Sequence, residues 1–101
     1  MKFADTLQTL PEASGEKIVL TDAAGADAGA IANAPGSAGS FRVYAYLLKQ
    51  YGTLDAEAAA EGLALFAEHT EDASRNPGKH PNIDRLIGIL ATGQPLNARI
   101  E

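Results

Sequence analysis

The chain has 101 residues, and eight basic residues against thirteen acidic ones give it a formal charge of −5. That length holds one domain and buries roughly two thirds of its unfolded surface, so a core can form without a metal or a disulfide. The acidic balance argues against nucleic acid or an anionic membrane surface as a partner, and the absence of cysteine excludes disulfides, thiolate metal sites and thiol catalysis.

The N-terminal Met-Lys-Phe-Ala-Asp lacks an apolar signal core, because Asp5, Gln8 and Glu12 interrupt it. No run approaches the roughly 20 apolar residues that cross a bilayer, so a cytoplasmic address is expected. Residues 2–9 suit a short amphipathic helix with Phe3, Leu7 and Leu10 on one side. Pro11 and Gly15 bracket a turn. Residues 17–21 are rich in β-branched side chains and predict a strand. Asp22 to Gly25 predicts a hairpin turn, in which Asp bonds the following amides and Gly takes the left-handed position. Residues 27–32 are then the returning strand, although Gly29, Ala30 and Ala32 are poor strand formers.

Residues 33–39 read as a flexible connection. Ser40 is the expected N-cap of a helix over 41–51, on which Phe41, Tyr44, Leu48 and Tyr51 form a stripe widened by Val43 and Leu47. Tyr46 falls on another side from Tyr44, at the edge of the core or at a protein interface. Gly52 stops this helix. Asp55 caps the next, expected to run unbroken to about Ser74 with Ala59, Leu63 and Phe66 buried and Ala60 and Ala67 beside them. Asn76-Pro77-Gly78 breaks it. A further helix starts near Pro81, presents Ile83, Leu86, Ile87 and Leu90, and ends at Gly93. Leu96, Ala98 and Ile100 alternate with polar residues as a closing strand.

The expected architecture is a single α+β domain over residues 1–101. A three-stranded sheet, made of the hairpin plus the C-terminal strand, packs on three to four helices. Alanine supplies much of the 46% hydrophobic content, there is no tryptophan, and the chain has only three Phe and three Tyr. The core is thin, and an uncovered sheet face is a natural place for a second copy.

The segment from Glu68 to Arg85 holds both histidines. His69 and Asp72 share a helix face, and His80 and Asp84 flank the start of the next helix, so the Asn-Pro-Gly turn could gather the four around zinc or a similar divalent ion. The spacing matches neither H-E-x-x-H nor an EF-hand loop. A second reading of the same corner is anion capture at a helix start, with Lys79, His80 and Arg85 as the ligand-binding cations. The plain alternative, and the favoured one, is an ion-paired surface corner in which Glu71 reaches Arg75 and Asp84 neutralises the helix end. The Pro35–Ser40 loop also enters a helix after a strand, but it lacks the G-x-x-x-x-G-K-[ST] phosphate pattern. Ser14, Ser37, Ser40 and Ser74 lie in no G-x-S-x-G elbow, so nucleophilic catalysis finds little support. No cofactor is expected.

Phe41-Arg42-Val43-Tyr44, Ala67-Glu68-His69-Thr70-Glu71-Asp72-Ala73 and the run from Pro77 to Leu86 together resemble a family of short bacterial proteins of unknown function. The resemblance covers most of the chain. It implies a bacterial source and supplies no activity, ligand or site. The residues themselves point to a small, soluble, non-enzymatic binding or accessory protein that pairs with itself or another protein. The alternative is a metal- or anion-ligand protein, with enzymatic activity left open, working from the His69–Arg85 corner.

Overall fold

A computed structural model describes residues 2–101. Among these described residues the order is helix, two strands, four helices, strand, an α+β arrangement. Strand β1 (Lys17–Thr21) lies at the centre of the sheet, between β2 (Asp27–Ala32) and β3 (Asn97–Ile100), and pairs antiparallel with both. Alternation along β1 buries Ile18 and Leu20 completely and leaves Val19 and Thr21 half-exposed on the other face. The hairpin forms as its chemistry dictates. Asp22 Oδ1 accepts the Ala24 and Ala26 amides, each at 2.9 Å, and Gly25 has φ +85°.

The small residues of β2 have a purpose that propensity does not show. The register passes from Leu20↔Gly29 to Thr21↔Asp27, so Ala28 is an extra residue, a β-bulge. The bulge leaves the Ala28 carbonyl to accept Arg85 Nε at 3.2 Å. Gly29 has φ +112°, and a Cβ there would stand 2.5 Å from Arg85 Nη2. Only glycine lets the guanidinium lie against this strand.

Helix α2 (Ala38–Tyr51) buries Phe41, Val43, Tyr44 and Leu47, with Leu48 and Tyr51 at its margin, and Gly52 closes it in the left-handed conformation. It starts earlier than expected: Ser37, not Ser40, is the N-cap residue. The Ser37 hydroxyl donates to the Ala32 carbonyl at 2.6 Å, tying the helix start to the end of β2. Asp55 caps α3 (Ala56–Leu65) as expected, accepting the Ala58 amide at 2.9 Å. The buried side of α3 is Ala58, Ala59 and Gly62; Leu63 is half-buried and Ala60 exposed. A Cβ on Gly62 would meet Leu86 Cδ1 at 2.7 Å and Leu47 Cδ1 at 2.8 Å, so the glycine seats α3 closely between α2 and α5 (Pro81–Thr92).

The helix expected to continue to Ser74 breaks at Ala67, whose φ of 53° and ψ of −120° lie outside the helical region, and α4 (Glu68–Arg75) follows in a new direction. No Gly or Pro marks the break; tertiary contacts impose it. Beyond the break Thr70 Oγ1 donates back to the Leu63 carbonyl at 2.5 Å, which satisfies a group the helix end would strand. Phe66, just before it, stacks on Phe3 of α1 (Phe3–Thr9) with ring centroids 5.3 Å apart. Helix α5 buries Ile83, Leu86 and Ile89, a narrower stripe than expected; Ile87 is only half-buried and Leu90 is 44% exposed. In β3, Ala98 and Ile100 stand opposite Leu20 and Ile18, but Ile100 at the chain end stays 41% exposed.

Candidate functional site

The polar segment folds as a helix corner: α4 runs into the Asn76–Lys79 turn, and α5 begins at Pro81 with His80 as its N-cap residue. Spacing alone would pair His69 with Asp72 and His80 with Asp84. The fold instead gives Asp72 to His80. His80 Nε2 hydrogen-bonds Asp72 Oδ2 at 2.6 Å, and Lys79 Nζ approaches the same oxygen at 3.1 Å. Asn76 Nδ2 donates to the other Asp72 oxygen at 3.0 Å. The contacts from His80 first, then Lys79, pull the Asp72 carboxyl down to about 2. Asp84 turns back instead and accepts the Gly78 amide at 2.8 Å, which fixes the turn. Glu71 and Arg75 form the expected i, i+4 ion pair.

The two imidazoles are neighbours, with ring centroids 5.6 Å apart. His69 also presents an edge contact to Phe3 at 5.2 Å, so aromatic rings run from Phe66 through Phe3 and His69 to His80. Glu68 Oε1 accepts the Phe3 amide at 2.7 Å, docking the N-terminal helix against α4; that hydrogen bond holds the Glu68 carboxyl below its ordinary value. These rings form one wall of an open cleft of about 400 Å³. Gly36, Ser37 and Ser40 also line it, together with Lys79, Pro81, Asn82 and Ile83. Two helices therefore start at this cleft, α2 through Ser37 and α5 through His80. Helix starts carry unpaired amides and the positive end of the peptide dipoles.

Arg85 is committed elsewhere. Its Nη1 donates to Asn82 Oδ1 at 2.9 Å and to the Tyr44 hydroxyl at 3.2 Å, and its Nε bonds the Ala28 bulge. The Tyr44 hydroxyl in turn donates to the Asn82 carbonyl at 2.5 Å. Burial raises the Tyr44 pKa while Arg85 opposes the rise. This network joins α2, α5 and β2 behind the cleft. Among the described residues, no group of three or more His, Asp or Glu side chains is placed together to hold a metal ion. Sequence reasoning missed Phe3, Phe66 and Ser37 as neighbours of the histidines. They come from parts of the chain far apart in sequence, and no local pattern connects them.

Fold and cleft together define a small α+β protein with an aromatic and polar site at a helix corner. The chain belongs to an uncharacterized protein family conserved in bacteria (DUF2322), which it matches over residues 3–100. No curated protein and no solved structure matches it. No helix among the described residues is long and apolar enough to cross a membrane.

Proposed function

We propose that this chain is a small, non-enzymatic binding protein of the cytoplasm whose ligand occupies the cleft between the histidines and the Ser37–Ser40 helix start. The ligand carries an anionic group, a phosphate or carboxylate, beside an apolar portion. One observation carries this reading: two helix starts open onto a cleft that also has Phe3, Phe66 and Ile83 in its walls. Helix starts favour an anion, and the rings offer an apolar surface to the rest of the molecule. Lys79, which also lines the cleft, adds positive charge that is shared with Asp72.

The test is a heteronuclear NMR titration with small aromatic phosphates and carboxylates, run in a metal chelator. Shifts grouped at Phe3, Ser37, Ser40 and His80 are expected, and Lys79→Ala should weaken binding about two- to fivefold, the scale of an exposed ion pair. No shifts at millimolar ligand, or shifts grouped elsewhere, would overturn the reading.

A second copy of the chain is the proposed protein partner. The supporting observation is the sheet face opposite the helices, where the half-buried Val19 and Thr21 of β1 lie beside the exposed Asn97 and Arg99 of β3.

A further inference from the structure

The contact between Asp72 and His80 has a second reading, independent of any anionic ligand. A histidine that binds a metal through one ring nitrogen almost always hands its other N–H to a carboxylate, a backbone carbonyl or a water, which sets the tautomer and the ring direction. His80 has that arrangement: Nε2 is held by Asp72 at 2.6 Å, which leaves Nδ1 as the ring nitrogen without a protein hydrogen-bond partner. The ring belongs to the wall of the cleft, as does that of His69. With metal–nitrogen bonds of about 2 Å, two imidazoles on one tetrahedral ion have centroids about 5 Å apart. The observed separation is 5.6 Å, with planes tilted by 45°. The observed separation exceeds that value only slightly, and the edge contact to Phe3 holds the His69 ring beside His80.

We propose that His69 and His80 form a two-nitrogen site for a borderline divalent ion such as zinc, with Asp72 as the positioning residue behind His80 and not as a ligand. The ion's remaining positions face the open cleft and are filled by water. Two imidazoles with open positions suit zinc, nickel or copper, because calcium and magnesium require oxygen ligands. Asp84 has no part in the site, since its carboxylate is spent on the Gly78 amide. The negative charge of Asp72 lies one ring away and partly offsets the positive helix ends.

Calorimetry with zinc alone tests the site, with no phosphate or organic anion present. One ion per chain is expected at micromolar to tens of micromolar zinc. His80→Ala and His69→Ala should each abolish the heat, and Asp72→Asn should weaken binding 10- to 100-fold. Melting points recorded in chelator separate a lost site from a lost fold. For any variant that melts early, substoichiometric cobalt added to the intact protein gives a second readout, broadening the His69 and His80 ring signals together. The proposal is overturned by no zinc heat at 100-fold higher concentrations. It is equally overturned by zinc binding that survives His80→Ala, or by cobalt effects at other residues. Anion binding that persists in chelator would leave the cleft reading intact while this inference fails.

Discussion

Asp72 gathers more of the corner than any other side chain, and its ionisation makes a test of the geometry. His80 and Lys79 are the charged or titratable groups in contact with it, and His69 is the next ring beyond. They hold the carboxyl at about 2, below its ordinary 3.8. A depressed carboxyl contributes stability above its unfolded pKa and loses it as the pH falls through the folded one. The contribution is therefore complete at neutral pH, declines as the pH falls through about 4, and is lost as it falls on through about 2. Asp72→Asn is expected to lower the urea midpoint at neutral pH, with the gap from wild type closing between those two values. Urea titrations across that range, in chelator, measure it; a gap of constant size would show that Asp72 has no such partners. At this scale the sequence was half legible. It marked the Glu68–Arg85 segment and the residues in it, because two histidines and a crowd of charges concentrate there. It set Asp84 rather than Asp72 beside His80, because spacing rules describe straight helices and the Asn76–Lys79 turn redirects the chain between them. Nor could it see that Arg85 faces a bulge in β2, since the carbonyl that accepts it lies 57 residues away.

Among the elements, the hairpin, the Gly52 and Gly93 helix stops and the Asp55 cap were legible because each is decided by a few adjacent residues. The break at Ala67 was not. Residues 56–74 contain strong helix formers and no proline, so local preference favours one long helix, and the packing of Phe66 on Phe3 overrides it. That override leaves Ala67 in a positive-φ conformation that L-residues avoid. Such strain costs roughly 1–3 kcal/mol per residue, and glycine escapes most of it. Ala67→Gly is thus expected to stabilise the protein by about 1 kcal/mol, although glycine in an ordinary helix interior destabilises by a similar amount. Chemical denaturation of the variant decides between the two: a loss of stability would mean that α3 and α4 form one continuous helix in solution. The same reasoning explains the shifted stripe of α5. Helical periodicity shows that a stripe exists, but the close seat of α3 at Gly62, against Leu47 and Leu86, selects which residues fill it.

The whole molecule has a covered and an uncovered side, and its charge controls what the uncovered side can do. Both sheet edges are poorly suited to pairing with another strand. The β3 edge ends in an ion-paired group, with Glu101 between Lys17 and Arg99, and the β2 edge is bent by the Ala28 bulge. The proposed self-association therefore uses the face around Val19 rather than an edge. A chain with formal charge −5 repels its copy, and screening over about 10 Å at 0.1 M salt relieves much of that repulsion between exposed groups. The expected outcome is a mass that rises from 10.5 kDa toward twice that value with concentration, and rises at lower concentration when salt is added. Val19→Lys places a new charge on the half-buried centre of the face, where its long stem can still reach water, so it should hold the protein at the monomer mass without unfolding it. Sedimentation equilibrium on both proteins at low and high salt measures this. A wild-type mass fixed at 10.5 kDa over a wide concentration range would end the self-association reading. A dimer indifferent to Val19→Lys would move the contact to another surface, with exposed Leu90 on α5 the next position to substitute.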